Sequence, residues 1–450
     1  MMRPLDVFNS TNPEEAAAMA QSKLLCETGW ALKHEQKCQE ALPLFQQDLV
    51  ICEETCGADH SYVANSLFDI ADCYLGLGEY RQALMLGLRA LEIYEKGLGA
   101  EHDLTLRCLP HICLCYTWLD RSDLAIPLMQ RELAVCEKTC GAQSEMVAWK
   151  LTHLASLHAN LKNYDEALAF HQRALAIRIQ CLGADHEHTQ STRNSIKQIH
   201  EKQEQAKEAI LDELDRRLKE AALNGNLEQA AAALLAGARV DAPDRFFRTA
   251  LMEAATHGHL AIAELLISQG ADVRWVDEWG RTPLSSAAEH NHRELFMYLL
   301  EQGGDLHTQD REGRNLLMMS AINHKSIFAI ALELGVDISV RDLEGKTVLM
   351  HAAEWGNAQA VELLLAAGVP VNDVDELGRN ALMLASKGRA SMFDTGEYVR
   401  VVQGLLRHNA NIRLQDKKGK TALDYAIAGD EIAGTTVVRQ EVVQALEHHD

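Results

Sequence analysis

The 450-residue chain has no run of about 18 apolar residues, which excludes a membrane-spanning helix of ordinary length. Its first ten residues, Met1 to Ser10, hold no basic segment followed by an apolar one, so no secretory signal is read there and the cytosol is the expected location. Basic residues are in deficit: 43 Lys and Arg stand against 65 Asp and Glu, and both halves of the chain share the resulting net charge of −22. Such a chain repels phosphate backbones and anionic lipid, so neither nucleic acid nor membrane is an expected partner, and basic protein partners are favoured. Cysteine is absent after Cys181; the 11 in the chain, Cys181 included, are odd in number, in a chain too long to need disulfide staples, and are read as reduced thiols. No phosphate-cradling glycine loop and no supportable Ser–His–Asp order is present. His186-Glu187-His188 lacks the four-residue His spacing of a zinc-protease helix. The expectation is a protein that is not an enzyme and uses no cofactor and no metal.

What the chain does have is repetition. Gly57-Ala58-Asp59-His60 recurs as Gly99-Ala100-Glu101-His102, Gly141-Ala142-Gln143-Ser144 and Gly183-Ala184-Asp185-His186, in steps of 42 residues. Glu40-Ala41-Leu42, Gln82-Ala83-Leu84, Leu124-Ala125-Ile126 and Glu166-Ala167-Leu168 keep the same step, as do the small residues Gly29, Ala71, Cys113 and Ala155. Apolar residues between the glycines follow helical spacing, as in Leu84, Leu88, Leu91 and Tyr94. Each unit therefore reads as two helices crossing closely at the small residues, and such a hairpin must stack on its neighbours to bury its apolar face. With Gly78-Glu79-Tyr80 and Ala90-Leu91-Glu92-Ile93-Tyr94-Glu95, the pattern resembles the tetratricopeptide repeat in the 42-residue form typical of kinesin light chains. The resemblance implies an array over residues 14–205, of about four units and a capping helix. Lys197 stands at the small-residue position of a fifth leading helix, where a charge suits a solvated cap.

After residue 205 the period changes. Asp244, Asp277, Asp310, Asp342 and Asp375 follow one another at steps of 32 or 33, with glycines at Gly280, Gly313, Gly345 and Gly378. Asp277-Glu278-Trp279-Gly280-Arg281-Thr282-Pro283-Leu284, with Ala287-Ala288 and Tyr298-Leu299-Leu300 after it, resembles the ankyrin repeat. The resemblance implies a second array over residues 206–450, of about seven units with degenerate outer ones. Gly280 permits a tight finger turn, Thr282-Pro283 can cap and open a helix, and Gly270 can end one in a left-handed conformation. The step from Asp375 to Asp416 is 41, so a surplus near residues 387–398 should form a longer loop or a helix extension. The fold expected is all-α, two helical-hairpin solenoids in tandem.

Several residues imitate chemistry. His290-Asn291-His292 spells a nuclease-like string but occupies the slot of His257-Gly258-His259 one repeat earlier. Cys52/Cys56 and Cys136/Cys140 have the spacing of paired ligands. Cys52 is equivalent to Tyr94, and Cys56 and Cys140 to Leu98 and Leu182, so apolar packing is expected instead of metal.

The remaining candidates are recognition residues. In ankyrin-like units the finger and inner-helix positions line a groove, here Phe246, Trp275, Trp279, His290 and Trp355, where aromatic rings make anchors. A basic ladder of Arg248, Arg281, Arg314, Lys346, Arg379 and Lys420 runs along the fingers and is read as solvated, with the capacity to steer an acidic peptide. In the first array Asn65, Asp69, Asp72, Arg107, His111, Trp149 and His153 should face the groove. The function expected is a non-enzymatic scaffold or adaptor holding one or two protein or peptide partners. The alternative is an acidic inhibitor or immunity-type protein that wraps a basic enzyme or toxin.

Overall fold

The structure is a computed structural model and describes residues 13–322, 327–388, 395–428, 430–432, 435–437 and 440–448. The chain divides into two compact units, Met1–Lys207 and Glu208–Asp450. The first unit is built from helices α1 (Pro13–His34), α2 (Cys38–Cys56), α3 (Ser61–Gly76), α4 (Tyr80–Leu98), α5 (Asp103–Trp118), α6 (Ser122–Cys140), α7 (Glu145–Asn160) and α8 (Tyr164–Leu182). They pack as successive antiparallel pairs, and α9 (Glu187–Asn224) follows.

The 42-residue motif is a helix stop followed by a helix start. Gly57, Gly99, Gly141 and Gly183 each sit just past a second helix with φ between 84° and 93°, a region that favours glycine. Three residues on, the ring nitrogens of His60, His102 and His186 each accept a backbone N–H of the next helix at 3.2 Å. Ser144 caps α7 in the same slot, accepting from Val147 at 3.4 Å. The small residues mark the crossings as expected: Ala41, Ala83, Ala125 and Ala167 are buried, and a Cβ on Gly29 would stand 2.7 Å from the Phe45 ring. Large side chains fill the space between pairs, with Phe45, Leu67, Tyr94, Leu109, Ile112 and Leu151 fully buried.

In the second unit the end of α9 packs on α10 (Leu227–Leu235) through Leu218, Ala221 and Ala222. Short helix pairs follow: α11 (Ala250–His257) with α12 (Leu260–Ser268), α13 (Pro283–Glu289) with α14 (Arg293–Glu301), and α15 (Leu316–Ser320) with α16 (Ile327–Glu333). Next come α17 (Val348–Glu354) with α18 (Ala358–Ala366), α19 (Ala381–Lys387) with α20 (Thr395–Arg407), and α21 (Ala422–Ala428) with α22 (Gln440–Glu447). A two-stranded antiparallel ribbon, β1 (Asp430–Ile432) and β2 (Thr435–Val437), precedes α22 and is the small departure from an otherwise helical fold. Thr282 forms a capping box with Ser285 and Pro283 opens α13, while Gly270 follows α12 at φ 91°. One continuous apolar core runs from Leu218 to Leu446.

Part of the surplus near residues 387–398 is a helix extension. Helix α20 has 13 residues where α12, α14 and α18 have 9. Its Tyr398 is fully buried, and its hydroxyl donates to the Glu354 carbonyl at 3.1 Å. Residues 389–394 of the surplus lie outside the described residues.

Candidate interaction surfaces

In the first unit, the first helices of successive pairs present one row of polar and aromatic side chains. Asp72, near the end of α3, is ion-paired with Lys33 of α1 and stands 3.4 Å from Nε2 of His111 on α5. The His111 ring meets Phe68 edge-on at 4.7 Å, and the Arg107 guanidinium lies 4.5 Å from the centre of the Phe68 ring. Burial, with the nearby Lys33 and Arg107 charges, holds His111 below the usual histidine value against the pull of the Arg107 carbonyl. On α7, the Trp149 and His153 rings pack with centroids 3.9 Å apart, tilted by 36°, and the Lys150 ammonium lies 4.9 Å from the indole centre. Lys150 is also ion-paired with Glu132 of α6, and both side chains are almost wholly buried. The desolvation of Glu132 outweighs that partner and raises its pKa.

In the second unit, six finger turns precede the inner helices. Each is tied to the next by one backbone hydrogen bond between 2.8 and 2.9 Å: Glu278 N–H to Phe246, Arg311 to Trp279, Leu343 to Glu312, Glu376 to Glu344, and Lys417 to Leu377. The aspartate that recurs in each finger folds the turn over itself. Asp277 Oδ1, for instance, accepts the N–H groups of Trp279 and Arg281 at 2.9 Å each. At the tips, Phe246 and Trp279 have ring centroids 5.3 Å apart, tilted by 35°, and the Arg281 guanidinium lies 4.7 Å from the Trp279 ring centre. A second cluster joins the third and fourth fingers, where Arg314, Leu343, Lys346, His351 and Trp355 line a shallow pocket of about 360 Å³.

Comparison with known families settles what the two units are. A family model described as tetratricopeptide repeat matches residues 29–96 and 146–211. A model described as ankyrin repeats (3 copies) matches residues 218–310, 297–375 and 316–395. The chain joins tetratricopeptide repeats to ankyrin repeats. No curated protein matches it. Among solved structures, the crystal structure of the human ASB11 ankyrin repeat domain is similar, at 25% identity and a TM-score of 0.43, over 52% of this chain and 97% of that one. Both repeat families are interaction modules, and among the described residues no helix is long and apolar enough to cross a membrane.

The repeat geometry sorts the candidates. In the first unit, Asp72, Arg107 and His111 are partly exposed, and Trp149 and His153 are exposed. Asn65 and Asp69 do not face the groove as expected: both are buried, because Val63 to Ala71 of α3 is enclosed by helices on either side. The Asn65 side-chain oxygen Oδ1 accepts the Tyr94 hydroxyl at 2.6 Å.

In the ankyrin fingers, Phe246, Trp279 and Arg281 come together, and Trp355 joins Arg314 at the second pocket. Trp275 stands before its finger, and its indole N–H donates to the Phe247 carbonyl at 2.7 Å. His290 caps the far end of α13, with Nδ1 3.0 Å from the Ser286 carbonyl.

The ladder of basic residues is not uniformly solvated. Arg281, Arg314 and Arg379 are each paired with the aspartate four residues earlier, at 3.0, 2.7 and 2.6 Å. Lys346 pairs with Glu354 at 2.8 Å and Arg248 with Glu253 at 3.3 Å.

The decoys have structural explanations. The His259 ring reaches back 3.2 Å to the Leu223 carbonyl over Gly225, and the His292 ring 2.9 Å to Thr256 over Gly258. A Cβ on either glycine would meet the ring at 2.6 Å or less, and Tyr398 over Gly356 repeats the arrangement. Cys52 and Cys136 are buried core, as their slot predicts. The slot of Cys56 and Cys140 is different: it lies at the helix end, where Cys140 and Leu98 are exposed, so it is not a core position.

One surface escaped the sequence reading. Tyr80 and Trp118 stack at 5.3 Å with planes 4° apart, and Trp118 is 63% exposed. The available signal was its register: the equivalent residues are His34, Gly76 and Asn160.

Proposed function

We propose that this protein is a non-enzymatic, cytoplasmic adaptor that holds one or two protein or peptide partners in separate grooves, and that it engages neither nucleic acid nor membrane. The tetratricopeptide groove offers mixed charge and one exposed aromatic, Trp149, to an extended segment. The ankyrin fingers offer Phe246, Trp279 and Arg281 as an anchor for an apolar or aromatic side chain, with Trp355 and Arg314 as a second contact. Stacked repeats give long open surfaces and few enclosed pockets, which suits recognition over catalysis.

The observation that carries this reading is Phe247. Five fingers place glycine at the turn, with φ between 76° and 79° at Gly280, Gly313, Gly345, Gly378 and Gly419. Finger one places Phe247 there at φ 60°, with its ring 55% exposed. A left-handed backbone costs a non-glycine residue about 1–2 kcal/mol, and an exposed ring recovers little of that by burial. An exposed ring held in that conformation, where the other fingers use glycine, supports a position kept for recognition. The test is selection of peptides from a displayed library against the full chain, followed by affinity measurements on the Trp279→Ala and Trp149→Ala proteins. Loss of binding in one of the two, with folding intact, assigns the groove. Wild-type binding in both removes the proposal.

A further inference from the structure

The last finger breaks the charge pattern of the others. In three earlier fingers an arginine neutralises the finger aspartate. In the sixth, Asp416 Oδ1 still accepts the N–H groups of Lys418 and Lys420 at 2.8 Å each, but Oδ2 accepts the Tyr425 hydroxyl at 2.7 Å. Burial and the Asp416 carboxylate push the Tyr425 phenol up to about 12, so it remains a proton donor at any ordinary pH. Tyr425 thereby takes the place of the arginine, and the Lys420 ammonium is left 5.7 Å from the tyrosine ring centre. Lys417 and Lys418 at the same tip and Lys387 at the end of α19 are exposed. Among the described residues, none of these four lysines has a carboxylate partner at ion-pair distance. Together with Leu377 they line one pocket of about 320 Å³, in which Arg379 is already neutralised by Asp375. Four lysines with no ion-pair partner among the described residues thus line this pocket beside the Asp416 carboxylate, an excess of positive charge at one end of the fingers in a chain whose net charge is −22.

We propose that the sixth-finger pocket binds an acidic segment of a partner protein, through side-chain carboxylates or phosphoserine. This site is distinct from the aromatic cluster at fingers one and two and does not depend on it. Lysine ammonium groups grip anionic oxygens as point charges without the fixed geometry of a guanidinium fork, so the pocket selects for charge more than for shape. Its cations lie in a local field that the rest of the acidic surface opposes, which confines anion capture to this end of the array.

The test uses the full chain and two fluorescein-labelled probes, a hexaglutamate peptide and a phosphoserine peptide with uncharged flanks, read by anisotropy at low ionic strength. The Lys417→Gln/Lys418→Gln/Lys420→Gln protein should bind at least about tenfold more weakly, and added salt should weaken wild-type binding. Lys96→Gln/Lys138→Gln/Lys207→Gln makes the same charge change elsewhere and should leave affinity within about twofold. Lys418→Gln alone, at an exposed tip, should lose about threefold and covers the case of a misfolded triple variant. Bound probe should protect backbone amides of residues 377–388 and 416–428 from hydrogen exchange. The tighter of the two probes identifies the anionic group. Equal affinity of the triple variant and wild type, binding of neither probe, or displacement of both by a single-stranded oligonucleotide that binds more tightly would overturn the proposal.

Discussion

The Tyr94 hydroxyl donates to the side-chain amide oxygen Oδ1 of Asn65 at 2.6 Å, between two helices of one tetratricopeptide unit and out of reach of solvent. Removing the donor leaves a buried acceptor without that bond, which costs more than the bond itself contributes. Tyr94→Phe should therefore destabilise the first array by about 1–2 kcal/mol, as a lower urea midpoint with an unchanged slope. An unchanged midpoint would mean that water or another donor replaces the phenol.

That pair also shows where sequence reading stopped. The repeat units were legible because their punctuation is chemical: a glycine that ends one helix and a histidine or serine that caps the next recur in every unit. The groove was less legible, because helical register locates a face but not how many neighbours cover it, and the middle of α3 is covered on both sides. No local pattern links Asn65 to Tyr94, 29 residues away. The internal pairing of the finger arginines was legible in principle, since an aspartate stands four residues before each one. The exchange of arginine for Tyr425 at Asp416 needed the structure, because it depends on which of two side chains reaches the same oxygen.

The cysteines should separate by reactivity. Burial pushes the thiols of Cys73, Cys108 and Cys113 up to about 12, whereas Cys140 and Cys181 are exposed. Thiolate is the reactive species, so iodoacetamide on the native protein should label Cys140 and Cys181 first, and Cys108 and Cys113 only in denaturant. Mass spectrometry of a time course reads this directly; early labelling of Cys108 would contradict the packing. Cys113 lies 3.5 Å from the Ala125 carbonyl at a helix crossing, and Cys113→Ala should cost about 1–2 kcal/mol through the lost contact.

Acid should weaken the first array through His171. It is 2% exposed, its Nδ1 has no hydrogen-bond partner among the described residues, and burial with the nearby Arg178 charge holds its pKa below the usual value. The unfolded chain takes up the proton below about pH 6.5 and the folded chain resists it. Stability is therefore intact above that value and declines as pH falls below it. Urea midpoints at pH 7.5 and 5.5 should drop more for wild type than for His171→Gln. An equal drop in both proteins would assign the acid sensitivity to other groups.

The finger turn at Phe247 allows stability and recognition to be measured in one substitution. Its left-handed backbone is the conformation the other five fingers give to glycine, and its carbonyl, which holds the Trp275 indole, belongs to the main chain and survives any side-chain change. Phe247→Gly should then relieve strain and raise stability by about 0.5–1 kcal/mol, the gain being reduced by the greater freedom of glycine in the unfolded chain. If the exposed ring is kept for a partner, the same protein should bind a finger-directed peptide more weakly, with Trp279→Ala weakening it further by about 2 kcal/mol. Thermal unfolding and titration calorimetry on the two variants give both quantities. A variant that is more stable and binds as wild type would show that the strain at Phe247 serves no recognition, and one that is less stable would show that the ring packs in the folded state after all.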